Sequence, residues 1–254
     1  AVCTSSNAGV IMRWAKSQDK KILFVPDEHL GRNSGKKVGI PLDKMLLWPG
    51  GWDGANKSVA TLTSGELRRL DDAELILWGS YCGVHMVFSP EQVAYWKSHG
   101  YRALVHPECR MEVVDAADGA GSTNYLWQAV LDAKPGDRLA IGTEGHFVRN
   151  ARAVGAARGV EVVNLADVPA NAGGSGSIGC GCATMSRNDP PHLVAILDLL
   201  RQGKAPELNR VLPGDVVDEA SGARERLDAA ARAEIAADAR KALQRMIELT
   251  EAAR

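Results

Sequence analysis

Short apolar runs alternate along this chain with amphipathic stretches whose apolar positions recur at helical spacing. The apolar runs at residues 21–25, 44–48, 73–78, 103–105, 138–141 and 160–163 predict strands. The amphipathic stretches at 8–17, 90–98, 111–117, 125–133, 146–157 and 191–201 predict helices. Strand and helix in regular alternation are the pattern of βα units, so the fold class is α/β with parallel sheets. At several strand ends the chain turns abruptly polar, small or ionisable: Pro26-Asp27-Glu28-His29, Tyr81-Cys82-Gly83-Val84-His85, His106-Pro107-Glu108-Cys109 and Gly142-Thr143-Glu144. Ligands of open parallel sheets bind at the carboxyl ends of strands, where helix N-termini also point, and the chemistry is expected there.

Three stretches depart from this rhythm. Residues 50–64 are rich in Gly, Ser, Thr and Asn and read as a loop or insertion. Residues 169–181 are dominated by Gly, Ala and Ser and lead through Cys180 to Cys182, a composition that lets backbone and thiols approach something closely. From Gly222 the chain is Ala-rich and charged, with Leu227, Ile235, Leu243, Met246 and Ile247 near helical spacing, which predicts a terminal amphipathic helix packed on the body. Its charges are mixed in sign, unlike those of a membrane-surface helix.

Composition narrows the function classes. The chain has 254 residues, 45% of them hydrophobic, and 30 basic against 31 acidic side chains. That length supports a substantial core without staples. A net charge of −1 with no long basic run argues against nucleic-acid binding, which depends on Lys and Arg neutralising phosphates. The apolar runs are far shorter than the ~20 residues that span a bilayer, so no membrane association is expected. The first residues, Ala1-Val2-Cys3-Thr4, lack the features of a signal peptide and read like the end of a strand, which suggests a fragment. Five cysteines, an odd number, favour a reducing compartment, the cytoplasm, where thiols serve as ligands or reactive groups.

Cys82 and His85, with Cys180 and Cys182, have the chemistry of soft metal ligands brought together from separate loops. Their spacing is no paired C-x-x-C framework, and an inert packed thiol is an equal alternative. Glu108 offers an acid or base and His106 a charged donor to a carboxylate or phosphate. Glu108 serves equally well as a cap on the helix starting near Met111. Gly119-Ala120-Gly121-Ser122-Thr123 precedes a helix, so its N–H groups and hydroxyls suit an anion, or Ser122 simply caps the helix. Ser5, Ser6 and Asn7 pose the same choice. Asp27-Glu28-His29 pairs carboxylates, but lies in a polar, Gly-containing stretch, residues 26–37, that reads as a solvated loop with no direct catalytic role.

Taken together, the segments resemble the quinolinate synthases of de novo NAD biosynthesis. The matching stretches, in order, are Thr-Ser-Ser-Asn-Ala (4–8), Pro-Asp-Glu-His-Leu-Gly-Arg (26–32), Cys-Gly-Val-His (82–85) with Phe88, and His-Pro-Glu-Cys (106–109). Ala-Asp (117–118), Gly-Ser-Thr (121–123), Thr-Glu (143–144), Cys-Ala-Thr-Met (182–185) with Asn188 and Ala-Leu-Gln-Arg-Met (242–246) continue the series, which is specific as an ordered set.

The resemblance implies small three-layer α/β/α domains repeated around a pseudo-threefold axis, each donating one Cys to a central [4Fe-4S] cluster. Cys82 and Cys182 would be metal ligands, leaving one iron open as a Lewis acid. Cys180 would be a neighbour, and Cys3 a packed thiol. Glu108 would be the general acid/base. Ser5, His106, Ser122 and Thr123 would hold substrate carboxylates or phosphate, and His85 would orient the loop that carries Cys82. The implied reaction, a transferase-type synthesis, condenses iminoaspartate with dihydroxyacetone phosphate to give quinolinate. L-aspartate oxidase or aspartate dehydrogenase would be the source of iminoaspartate.

On this reading residues 1–84 are the second α/β domain, with an insertion at about 42–72, residues 85–182 the third, and residues 183–254 a helical segment that would pack on the first. The first domain, with the third cluster ligand and a Tyr-Val-Asn segment, would be lacking, and this chain alone would have weak activity or none. Ser186 and Arg187 stand where the family more usually has other residues. A reading from a different class is a non-catalytic zinc-binding or redox-sensing α/β protein that uses Cys82, Cys180 and Cys182.

Overall fold

In the computed structural model α1 (Ala8–Lys16) leads into β1 (Ile22–Phe24), followed by α2 (Glu28–Lys37), β2 (Met45–Leu47), α3 (Ser64–Asp72) and β3 (Leu75–Leu77). A second run comprises α4 (Pro90–Ser98), β4 (Arg102–Val105), α5 (Met111–Ala116), β5 (Gly119–Ala120), α6 (Thr123–Asp132), β6 (Arg138–Gly142), α7 (Gly145–Ala156) and β7 (Glu161–Asn164). After these come α8 (Pro190–Arg201), β8 (Val216–Val217), β9 (Arg224–Glu225) and α9 (Ala229–Glu251). The structure describes residues 1–50, 58–169, 182, 185, 189–206, 212–217 and 223–253. Cys180 and nearly all of the Gly-rich stretch 169–181 lie outside them, as do Ser186 and Arg187.

All strands of the first two sheets run parallel, in the orders β1-β3-β2 and β5-β4-β6-β7. The α/β expectation holds, and the period-2 alternation of strands explains the layering. In the four-stranded sheet Ala103, Val105 and Ala140 point to one face and pack with Phe88, Val93, Trp96 and Val113. Leu104, Leu139 and Ile141 point to the other and pack with Leu126, Val130 and Val148. Both faces are therefore apolar and helix-covered, which is why these strands read as continuous hydrophobic runs. Trp96 locks the first face by donating its indole N–H to the Leu165 carbonyl at 3.0 Å.

The three-stranded sheet buries Phe24, Met45, Leu75 and Leu77 against Ala8 and Met12 of α1 and Leu30 of α2. Here one expectation is corrected: residues 26–37 are not a solvated loop, because Glu28–Lys37 is a helix capped by Asp27, whose carboxylate accepts the Leu30 N–H at 2.7 Å. Its buried face is His29, Leu30, Gly31, Ser34 and Gly35. A Cβ on Gly31 would stand 2.6 Å from Leu77 Cδ2, and one on Gly35 2.6 Å from Leu75 Cδ2. The helix lies close on β3 because these positions carry no side chain.

Two other stretches also differ from expectation. Of the stretch expected as a loop, residues 51–57 lie outside the described residues, and its end leads into α3, started by a capping box in which Thr63 and Glu66 each accept the other's backbone N–H. β2 and α3 both fall inside the span expected as an insertion, and β2 is a full member of its sheet. Gly119-Ala120, expected as part of an anion-docking turn, pairs with β4 as β5.

Residues Cys3–Cys182 form one compact unit containing both parallel sheets. Ala183–Arg254, with Ala1–Val2, form another, built from α8, α9 and the antiparallel pair β8–β9. The terminal helix appears as α9, with Ile235, Leu243 and Ile247 exposed. Among the described residues no helix is long and apolar enough to cross a membrane.

Candidate functional site

Four strands of the Cys3–Cys182 unit deliver polar residues from their carboxyl ends: Asp27 follows β1, Cys82 and His85 follow β3, His106 and Glu108 follow β4, and Thr143 and Glu144 follow β6. Those after β3 and β4 form the centre of the site. One ligand atom each from Cys82, His85 and Glu108 lies within 4.8 Å of the other two. His106 joins them by stacking its ring on His85, with centroids 4.5 Å apart and planes 15° from parallel.

The local backbone explains the meeting. The Cys82 turn closes with the His85 N–H on the Cys82 carbonyl at 3.0 Å, which brings the thiol and the imidazole onto one side. Asp27 then fixes that turn. While one carboxylate oxygen caps α2, the other accepts the Cys82 N–H at 3.0 Å. After β4, Pro107 stops the strand, and the turn closes with the Cys109 N–H on the His106 carbonyl at 3.0 Å. Glu108 does not cap the next helix. Arg110 occupies the N-cap of α5 without a side-chain bond, and Glu108 instead faces His85, Oε2 to Nδ1 at 3.1 Å. That approach falls outside hydrogen-bond geometry, so the contact is one of charges.

Electrostatics follow from this packing. Burial opposes charge on His85, yet Cys82 and Glu108 together pull it up to about 9. The pairing works in reverse: the neighbouring His85 draws the Cys82 thiol below its ordinary value against the upward pull of burial. Glu108 is buried, which favours its neutral form, but His85 and His106 outweigh burial and hold it low. The packing thus favours an imidazolium at His85 beside an ionised Glu108, with Cys82 drawn toward its thiolate form. His106, expected as a charged donor, is corrected to neutral: burial and the neighbouring His85 charge push it down to about 4. Its Nδ1 accepts the Glu108 N–H at 3.4 Å, so Nε2 carries the proton and is the donor left for another group.

The other expected residues lie in different surroundings. Ser122 is buried and caps α6, its hydroxyl accepting the Tyr125 N–H at 3.3 Å, and Thr123 is exposed. Ser5, half-buried, lines a cavity of about 220 Å³ together with Arg13, Lys37, Pro107 and Gly121. Cys182 is half-buried and is not a member of the Cys82–His85–Glu108 group. Cys3 packs against the core of the three-stranded sheet, and burial raises its thiol. Cys109, fully buried in the other core, is raised further by the same cause.

The sequence marks two further strand ends but assigns no role in the site to Thr143 or Asp27. Thr143 is buried with its hydroxyl 3.3 Å from His85 Nε2. Asp27 anchors the Cys82 turn. Both stand immediately after apolar strands, and their partners, Cys82 and His85, become visible only in the folded chain.

A thiol, an imidazole and a carboxylate gathered at strand carboxyl ends define an α/β protein with a candidate metal centre. Known proteins carry the identification further. A family model described as Quinolinate synthetase A protein matches residues 1–248. Proteins named quinolinate synthase are similar to this chain: one from Geobacillus kaustophilus is 37% identical over 230 residues, which cover 89% of this chain and 56% of the relative. Another from Streptomyces coelicolor is 40% identical over 205 residues (80% and 48%), and one from Corynebacterium glutamicum 34% over 254 residues (99% and 54%). The chain belongs to the quinolinate synthetase A family. It spans about half the length of the curated relatives it matches.

Proposed function

We propose that this chain supplies the second and third α/β domains of a quinolinate synthase, residues 1–84 and 85–182, with residues 183–254 as a helical segment of the same enzyme. The whole enzyme condenses iminoaspartate, delivered by an aspartate-oxidising enzyme, with dihydroxyacetone phosphate. The observation that carries this reading is the Cys82–His85–Glu108 group with His106 stacked on it, in a chain of this family.

The donor chemistry fits an iron–sulfur cluster in one respect that matters: Cys82 is half-buried and drawn toward thiolate, the form that binds iron. Cys82 and Cys182 are the residues of this chain that would hold a [4Fe-4S] cluster. When bound, the cluster supplies Lewis acidity for the loss of a hydroxyl. Glu108, held ionised, removes the proton adjacent to the departing hydroxyl as general base, and then returns a proton as general acid. His106 offers its Nε2–H to a substrate oxygen without carrying charge. Ser5, Ser122 and Thr123 bind substrate carboxylate or phosphate, and His85 keeps the Cys82 turn and Glu108 in register.

The experiment is anaerobic iron and sulfide reconstitution of the polypeptide containing this chain, followed by turnover assays. Loss of the brown absorption in Cys82→Ser and in Cys182→Ser is expected, as is a fall in turnover of about 10²-fold or more in Glu108→Gln with the cluster retained. A Cys182→Ser variant that keeps its cluster, or stoichiometric zinc without quinolinate formation, overturns the reading.

A further inference from the structure

Helix α2 touches both loops that make the site. At its start Asp27 holds the Cys82 turn. Six residues on, Asn33 reaches the other loop, where its single amide nitrogen donates to the Pro107 carbonyl and to the Cys109 carbonyl, each at 2.9 Å. Those two carbonyls flank Glu108. One carboxamide therefore ties the peptide unit that leads into Glu108 to the one that leaves Cys109, and so spans the residue that faces His85. Within the turn the backbone donors are already turned inward, Glu108 N–H to His106 Nδ1 and Cys109 N–H to the His106 carbonyl. Asn33 holds the outward-facing side of the same turn.

Two further features favour a positioning role over simple packing. The Asn33 Oδ1 atom is buried with no hydrogen-bond partner, an unfavourable state that an apolar side chain of the same size would avoid. About one helical turn further along, Lys36 holds Asp115 of α5 at 2.6 Å, so the helix also grips the element that follows the turn.

We propose that Asn33 is a positioning residue, a splint that sets the direction of Glu108 toward Cys82 and His85, with α2 as the common mount for both loops. The proposal rests on the reading of Glu108 as the acid/base group, and the test separates the two.

Two variants remove the donors differently. Asn33→Leu keeps the volume and deletes both, and Asn33→Asp keeps the shape and turns the donor nitrogen into an acceptor facing two carbonyls. Amide hydrogen exchange on the 254-residue chain reads the turn directly, with no metal needed. Exchange at Glu108 and Cys109 should accelerate about tenfold or more in both variants, while the amides of β6 and β7 keep the parent rate. In the full polypeptide kcat should fall about 10- to 100-fold with KM little changed, and Asn33→Leu combined with Glu108→Gln should be no slower than Glu108→Gln alone.

Parent-like exchange at Glu108 and Cys109 overturns the splint. So does acceleration spread evenly over β4, β6 and β7, which would mark a general loss of stability, or an additive double variant. Local acceleration combined with a fully active Glu108→Gln variant leaves the splint standing and overturns the acid/base role of Glu108.

Discussion

Replacing Gly31 by alanine sets two effects against each other in the helix that carries Asp27 and Asn33. Alanine in a helix interior is about 1 kcal/mol more favourable than glycine. Against this, the new Cβ would stand 2.6 Å from Leu77 Cδ2, 2.7 Å from Phe24 Cδ1 and 3.0 Å from Phe24 Cγ. Carbon atoms settle at about 3.5–4.0 Å, so the helix or the sheet must give by about 1 Å. Leu77 is fully buried and Phe24 nearly so, and close-packed interiors leave little room for either to retreat. Contacts this short fall in the upper part of the overpacking range, about 2–3 kcal/mol, and outweigh the propensity gain of about 1 kcal/mol, for a net loss of about 1–2 kcal/mol. With a urea slope of about 2 kcal/mol per M, the unfolding midpoint falls by about 0.5–1 M. Gly9→Ala is the control. Its Cβ would meet nothing closer than Arg13 Nη1 at 3.8 Å, so only the propensity effect remains and the midpoint should rise slightly. A Gly31→Ala midpoint equal to or above the parent's refutes the close seating of α2 on β3.

Three other outcomes follow from single contacts. Glu144 caps α7 by accepting the Phe147 N–H at 3.0 Å; Glu144→Ala should lose about 0.5–2 kcal/mol in thermal unfolding, and an unchanged melting temperature would contradict the cap. Cys82, lowered by His85, should alkylate with iodoacetamide at neutral pH well before Cys109, which burial raises; peptide mass spectrometry should show that His85→Ala slows Cys82, and equal rates in parent and variant would count against the array. Asp118 is lowered because Lys97, at 2.8 Å, and the Ala103 N–H outweigh the upward pull of burial. A carboxylate with a depressed folded pKa adds stability above its unfolded value, about 3.9, and loses it as pH falls through the lower folded value. The stability gap between parent and Asp118→Asn should therefore be constant at pH 6–7 and shrink below about pH 4; a gap that widens on acidification has the wrong sign.

The strands were legible because both faces of the four-stranded sheet are covered, so each strand carries apolar residues in an unbroken run. Cys82, His85 and Glu108 were legible for a related reason: a strand that ends abruptly in ionisable residues marks the carboxyl edge of a parallel sheet. What the sequence left open was which residues meet. Glu108 could cap α5 or face the site, and the choice was settled by the direction in which the Pro107 turn leaves β4, a long-range matter of how two sheets sit within one unit. Ser122 caps its helix, its hydroxyl oxygen accepting the N–H of Tyr125, three residues ahead, so that its O–H alone is left to donate elsewhere.

The helix α2 was missed for a reason that bears on function. A periodicity search looks for large apolar residues on one face, and this face has only Leu30, with glycine and serine at the positions that touch β3. Small residues there do what large ones do elsewhere: they remove water between helix and sheet, by letting the backbone come closer instead of filling the gap. Close seating has a geometric consequence. A helix pressed onto β3 brings its N-terminus beside the chain leaving that strand, which is how Asp27 comes within 3.0 Å of the Cys82 N–H. The polar residues that made residues 26–37 look like a solvated loop are thus directed at specific partners: Asp27 at Cys82, Arg32 at Glu28, Asn33 at the Glu108 turn and Lys36 at Asp115. A stretch rich in charge and glycine is ambiguous in one dimension. The spacing of Gly31 and Gly35, four residues apart on one helical face, is the feature that distinguishes a closely seated helix from a loop.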